Sequence, residues 1–273
     1  MNAYYNVGNI LVEAQGGENR SKYGNNLIKN YSTKLSREMG IGYNTTSLKR
    51  MRQFFLIIEK GATLSHQLTW SHYIEIIKLS EIEKVNYYIN QVMIYNLSIR
   101  ELRRKIEKKE YERIDNATKL KLSSNLENKI EDFIKNPILI KNGYDCKEMS
   151  EKLLKQLILE DLDNFLAELG DGFTYVKNEY KIKLGVIYNY IDLLLYNIKY
   201  NCYVVIELKI TELKAEHIGQ ISKYMNYMDK CIKGVDQEKT IGIIICKKNN
   251  QFVMEYCSDD RIFSKEYNIE YSK

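Results

Sequence analysis

The hydrophobic pattern of this chain changes period at Gly170 and Gly172, and that change fixes what its two parts can become. Before the glycines, apolar residues recur three and four apart, the spacing of one face of a helix. After them they come in short runs, the mark of strands. From Tyr23 to Met39, Leu27, Ile28, Tyr31, Leu35 and Met39 form one apolar stripe, which Gly40 and Gly42 terminate. Thr45, Thr46 and Ser47 then offer N-cap hydroxyls to a second helix. Its inward stripe is Leu48, Met51, Phe55 and Ile58, while Lys49, Arg50 and Gln53 face outward. Two helices about a short glycine-containing turn, the second with a basic outer face, have the outline of a helix-turn-helix. Further helices are predicted over Trp70 to Leu79, over Glu81 to Tyr95, and from the Ser98/Glu101 capping box to about Arg113. Leu153, Leu157, Leu162, Phe165 and Leu169 fit one more.

Extended segments follow at Phe173 to Lys183, Ile187 to Tyr196, Cys202 to Lys209 and Thr240 to Cys246, with Gln251 to Tyr256 as a final hairpin partner. A helix from Lys214 to Lys230 separates the third from the fourth. The expected fold class is therefore α+β with two domains. The first is an all-helical, helix-turn-helix-like domain over residues 1–115. The second, over 149–273, is an α/β core of order αβββαβ on a mixed sheet. Residues 116–148, which hold the only proline (Pro137), are expected to be a helical connector. With one proline in 273 residues, a flexible Pro-rich linker is excluded.

Charge divides at the end of the first domain. The net charge is +5, but Met1 to Asp115 carries 18 Lys/Arg against 12 Asp/Glu, and the remainder 23 against 24. A basic helical part beside a near-neutral one suits a polyanion-binding module joined to something else. The densest basic cluster, Arg100, Arg103, Arg104, Lys105, Lys108 and Lys109, supplies candidate phosphate contacts, Arg103 and Arg104 above all. No apolar run reaches the roughly 18 residues of a membrane span. Five cysteines (Cys146, Cys202, Cys231, Cys246, Cys257) without CxxC spacing argue against a zinc ribbon and a disulfide framework, and a reducing cytoplasm is the expected location.

The chemistry is expected on two strands. In Val204-Val205-Ile206-Glu207-Leu208-Lys209, alternation puts Glu207 and Lys209 on one face and Leu208 on the other. Asp192 interrupts a second apolar run, Tyr190-Ile191-Asp192-Leu193-Leu194-Leu195, where a lone carboxylate is costly unless paired or metal-bound. If the two strands are neighbours, Asp192, Glu207 and the Leu208 carbonyl form an oxygen-rich site suited to Mg²⁺ or Mn²⁺. Such a metal would polarise a phosphodiester, with Lys209 orienting the attacking water or offsetting charge on the phosphorus oxygens.

Tyr190-Ile-Asp-Leu-Leu-Leu-Tyr196, Cys202-Tyr-Val-Val-Ile-Glu-Leu-Lys209, and Gly219-Gln220 with Tyr224 resemble the PD-(D/E)XK nuclease superfamily, most closely its YhcG-type branch. Leu11-Val-Glu-Ala-Gln-Gly-Gly17, Tyr23-Gly24, Leu48-Lys-Arg-Met-Arg-Gln-Phe54 and Trp70-Ser-His-Tyr73 extend the resemblance over nearly the whole chain. Ile191 stands where the superfamily name has proline. The resemblance implies a restriction-endonuclease-like core, metal-binding Asp192 and Glu207, catalytic Lys209, an assisting Gln220 with Tyr224 one helical turn on, and an additional acid at Glu160. It also implies DNA as substrate, with RNA left open; related nucleases often dimerise, so a homodimer is an open alternative to a monomer, and the lack of an apolar span leaves no membrane partner expected. Relatives carry a further helix before Tyr4 and a longer tail after Tyr271, so the N-terminal domain is expected to be incomplete or to rely on a partner. The expected function is a divalent-metal-dependent DNA nuclease. The alternative is a catalytically silent DNA-binding or assembly protein on the same fold, told apart by metal binding that depends on Asp192 and Glu207.

Overall fold

The computed structural model describes residues 1–17, 21–116, 118–119, 121, 129–144 and 148–271, with the side chains at 21–25, 41 and 133 left aside. Cys146 and the side chain of Tyr23 lie outside what is described. The chain divides into two compact units, Met1–Tyr111 and Glu112–Lys273.

The first unit opens with a helix that the sequence reading did not include, α1 (Asn2–Ala14); α2 (Ser21–Met39), α3 (Thr45–Glu59), α4 (Trp70–Ile76), α5 (Ile82–Tyr95) and α6 (Ile99–Glu107) then follow the expected order. Asn44 caps α3, accepting the Ser47 N–H at 2.9 Å, rather than the hydroxyls of Thr45 to Ser47. The stripe of α3 also differs. Leu48, Met51 and Phe54 are buried, whereas Phe55 and Ile58 are half-buried, because the helix packs against two clusters on adjacent faces. The α6 capping box forms as expected between Ser98 and Glu101. His72 is buried and hydrogen-bonded to Thr69 and to the Leu97 carbonyl.

The second unit is built on β1 (Ile138–Asn142), β2 (Phe173–Leu184), β3 (Ile187–Asn197), β4 (Cys202–Glu212), β5 (Ile241–Lys248) and β6 (Ile262–Tyr271). They form one mixed sheet in the order β1-β6-β5-β4-β3-β2. β2, β3 and β4 are antiparallel neighbours, while β4, β5, β6 and β1 run parallel. The αβββαβ core is present with additions. The 116–148 stretch, expected as a helical connector, contains β1, which pairs with β6 inside the sheet. Gln251–Glu255, expected as a strand, is the short helix α10, and the last strand is β6. The single helix expected over 153–169 is two, α7 (Glu151–Glu160) and α8 (Leu162–Leu169), broken at Asp161.

Helices cover both faces of the sheet. α7 and α8 pack on the face of Leu193, Leu195, Val204, Ile206 and Leu208. α9 (Ala215–Cys231) packs Ile221, Met225 and Met228 on the face of Leu194, Val205 and Ile244. Covered on both sides, β4 and β5 are continuous apolar runs, as buried parallel strands must be. An ionisable side chain in the apolar run of β4 is thus removed from water.

Candidate active site

β3 and β4 are neighbours in register from Leu193↔Ile206 to Asn197↔Cys202, which brings Asp192 opposite Glu207 at the point where the pairing ends. Alternation slips there. Ile191 packs on the α9 face, whereas Leu193, two residues on, packs on the α7 face. Across the hairpin, Glu179 on β2 has a left-handed φ of 47°, an uncommon conformation for this residue type. The slip frees Asp192 from the regular ladder. Its Oδ2 accepts the Leu208 N–H at 3.0 Å, and its Oδ1 accepts Lys155 Nζ, from α7, at 3.4 Å. Lys155 also bonds Glu179 Oε1 at 2.8 Å. Burial acts to lower the Lys155 ammonium, but Glu179 and Asp192 outweigh it and hold it above the ordinary lysine range.

Glu207 is 1% exposed. Its Oε2 lies 3.5 Å from Lys209 Nζ, and its Oε1 is buried with no hydrogen-bond partner. Burial, reinforced by the charge of Asp192, pushes this carboxyl up to about 8 against the pull of Lys209. A buried acceptor left unmatched costs free energy, and this oxygen is open to a ligand that would complete it. Lys209 also approaches Glu151 Oε1, on α7, at 3.8 Å. Leu208 turns its side chain into the α7-side core, and its N–H and C=O both face the β3 edge, since both groups of a strand residue point to the same neighbour.

α9 brings Gln220 and Tyr224 to the same region. Gln220 Nε2 donates to Tyr224 Oη at 3.1 Å, and burial, with smaller contributions from Glu207 and Asp192, raises the Tyr224 phenol. His217, one turn before Gln220, is buried; burial first and the Lys209 charge second lower its imidazole. Glu160 does not join this group. It is bound by Tyr144 Oη at 2.5 Å and Gln156 Nε2 at 2.9 Å, because its place nine residues after Glu151 puts it on the opposite side of α7. Glu151 and Lys155 are the α7 residues at the site. The sequence signal for them is their i, i+4 spacing on one helical face.

Among the residues expected to touch nucleic acid, Gln53 donates to the Ile77 carbonyl and Arg103 pairs with Glu75 at 2.7 Å. Both are turned to protein partners. Lys49, Gln53, Arg103 and Arg104 are exposed and Arg50 is half-buried.

The family model of the YhcG PDDEXK nuclease domain matches residues 131–272, which contain every residue of this site. The chain belongs to the YhcG PDDEXK nuclease family. The model of the DUF1016 N-terminal domain matches residues 1–113. This YhcG-family chain is 24% identical to "Putative nuclease YhcG" of Escherichia coli (strain K12) over 309 aligned positions, covering 98% of this chain and 82% of that protein. Among solved structures it is similar to a repair endonuclease from Pyrococcus abyssi, at 19% identity and a TM-score of 0.32. That match covers 45% of this chain and 49% of that one. It is also similar to EndoMS in a complex with double-stranded DNA, at 16% identity and a TM-score of 0.33, covering 46% and 48%. The chain thus spans about half the length of the solved chains it matches. Among the described residues no group of three or more His, Cys, Asp or Glu side chains is placed to hold a metal. No helix among those residues is long and apolar enough to cross a membrane.

Proposed function

We propose that this chain is a nuclease that hydrolyses DNA phosphodiester bonds and requires Mg²⁺ or Mn²⁺. The observation that carries the reading is the partnerless, buried Oε1 of Glu207 between Asp192 and Lys209. Asp192, Glu207 and the Leu208 carbonyl are all hard oxygen donors, the set that suits a small divalent cation. Bound there, such an ion supplies Lewis-acid polarisation of the scissile phosphate and a lowered pKa for water.

The chain's own groups do the positioning. The Leu208 N–H and Lys155 hold the two oxygens of Asp192 in fixed directions. Lys209, braced by Glu207 and Glu151, orients the attacking water and offsets negative charge growing on the phosphorus oxygens. Gln220 and Tyr224 line the approach from α9, and Glu160 stays outside. The basic first unit, carried on 1–115 in the sequence division, is the DNA-placing module, with Lys49, Arg50 and Arg104 as its contacts.

The test is incubation of the full chain with plasmid, single-stranded and branched DNA in Mg²⁺ or Mn²⁺, beside Asp192→Ala and Lys209→Ala. Metal-dependent cleavage by the parent and its loss in both variants is expected. Cleavage that persists unchanged in both overturns the assignment.

A further inference from the structure

β4 pairs with β3 only from Leu193 onward, whereas β2 and β3 remain paired out to Leu184↔Ile187. Residues 180–191 therefore form a two-stranded ribbon that continues past the sheet directly from Asp192. A bare ribbon of this kind is marginal in water. This one is held by a single face, on which Ile182 and Ile191 are buried in the α9-side core. The other face carries Lys181 opposite Tyr190 and Lys183 opposite Tyr188. Tyr188 and Tyr190 are 52% and 53% exposed, and Val186 and Ile187 at the tip are 89% and 66% exposed. Lys181 Nζ sits 3.8 Å from the centroid of the Tyr188 ring and Lys183 Nζ 5.8 Å from it, which holds that ring in place. From Tyr180 to Ile191 the ribbon has two lysines and no acidic residue. Alternation carries the Lys/Tyr face back to Asp192, and the bridging of Asp192 and Glu179 by Lys155 shows that these residues share a side.

We propose that this ribbon is a nucleic-acid-binding arm that holds the DNA strand entering the Asp192/Glu207 site, with lysines on phosphates, tyrosines against bases or sugars, and Val186 and Ile187 as an apolar wedge. The inference rests on the nuclease reading for its direction, since it places the arm upstream of that site. Charge selects the occupant: cationic side chains interleaved with exposed aromatic rings match a phosphate backbone carrying flat bases. An exposed apolar tip flanked by lysines suits insertion between base steps.

The test uses the full chain in EDTA, so that binding is read without cleavage. Fluorescence anisotropy with a labelled DNA oligonucleotide, single-stranded and annealed, is measured for the parent, for Lys181→Ala with Lys183→Ala, and for Tyr188→Ala with Tyr190→Ala. The lysine pair is expected to flatten the salt dependence of log K by about 1 to 2. The tyrosine pair is expected to weaken binding by about tenfold or more, as loss of base stacking does. Photocross-linking of iodouracil-substituted DNA, with peptide mapping, is expected to label residues within 180–191 of the parent. Labelling confined to other segments together with parental binding by both variant pairs overturns the proposal. So does a parent that binds no DNA, or variants that change only the sedimentation of the protein, which would make the ribbon an interface between copies. Weakened binding in a chain that cuts no DNA would sink the nuclease reading and keep the arm. Cleavage with unaltered binding would do the reverse.

Discussion

Lys155 Nζ lies 3.4 Å from Asp192 Oδ1, placing a fixed positive charge against one of the two carboxylates expected to receive a divalent cation. The ammonium and the cation share that oxygen's field, and two positive charges so close repel. Lys155→Met is therefore expected to lower the Mn²⁺ concentration giving half-maximal cleavage by roughly threefold or more, an energy well within that of a close ion pair. Metal titration of the cleavage rate measures it, and an unchanged or higher requirement means that Lys155 acts only to hold Asp192.

Glu207→Gln separates stability from activity. The Glu207 carboxyl is raised to about 8 in the folded chain by burial and by Asp192, above the ordinary glutamate value. A raised pKa means that the folded state favours the protonated form. The contribution is complete below the unfolded pKa and is lost as pH rises through the folded value, by up to roughly 1.4 kcal/mol per pH unit across that window. In EDTA the variant is expected to melt above the parent at pH 8, to match it near pH 4, and to cut no DNA. A parent as stable as Glu207→Gln across this range contradicts the buried, partnerless geometry.

Glu168, by contrast, is structural. It is buried on α8, takes the Arg113 guanidinium through both oxygens and accepts the Leu139 N–H at 3.1 Å. Burial alone would raise its carboxyl, but Arg113, Lys135 and the Leu139 N–H together hold it below the ordinary range. Glu168→Ala removes the carboxylate that Arg113 meets through both terminal nitrogens in a buried place, and is expected to cost about 3–5 kcal/mol in urea unfolding. A loss much below about 1 kcal/mol would show that Arg113 finds another partner.

Gly8 is where α1 meets α3. A Cβ there would stand 2.3 Å from the Met51 carbonyl oxygen and 2.7 Å from Phe55 Cβ. Backbone cannot yield as a side-chain tip can, so Gly8→Ala is expected to destabilise the first unit by about 1–3 kcal/mol despite alanine's better helix propensity. Denaturant unfolding followed by fluorescence of the single tryptophan, Trp70, reads that unit specifically.

The strands bearing Asp192 and Glu207 were legible because a buried sheet leaves uninterrupted apolar runs, and the acids stood out against them. β6 was not, since Lys265, Glu266, Asn268 and Glu270 break its apolar pattern. Gln251–Glu255 reads as a strand by composition, yet Asn250 caps it into a helix by accepting the Val253 N–H at 3.3 Å. β1 is only five residues long and becomes visible through its pairing with β6. Lys155 and Glu151 share one helical face by their i, i+4 spacing, but only the packing of α7 against β4 gives that face its place. Glu160, suggested by family position, sits on the far side of that helix. The Lys/Tyr face of the ribbon was hidden because alternation slips at Asp192, which no periodicity in the sequence announces.

The most direct measurement is calorimetric titration of the full chain with Mn²⁺, beside Asp192→Ala and Glu207→Ala. The account predicts binding in the parent at the Asp192/Glu207 site, abolished or weakened by about tenfold or more in each variant as a carboxylate ligand is lost. Binding unchanged in both variants, or no binding by the parent, would contradict it.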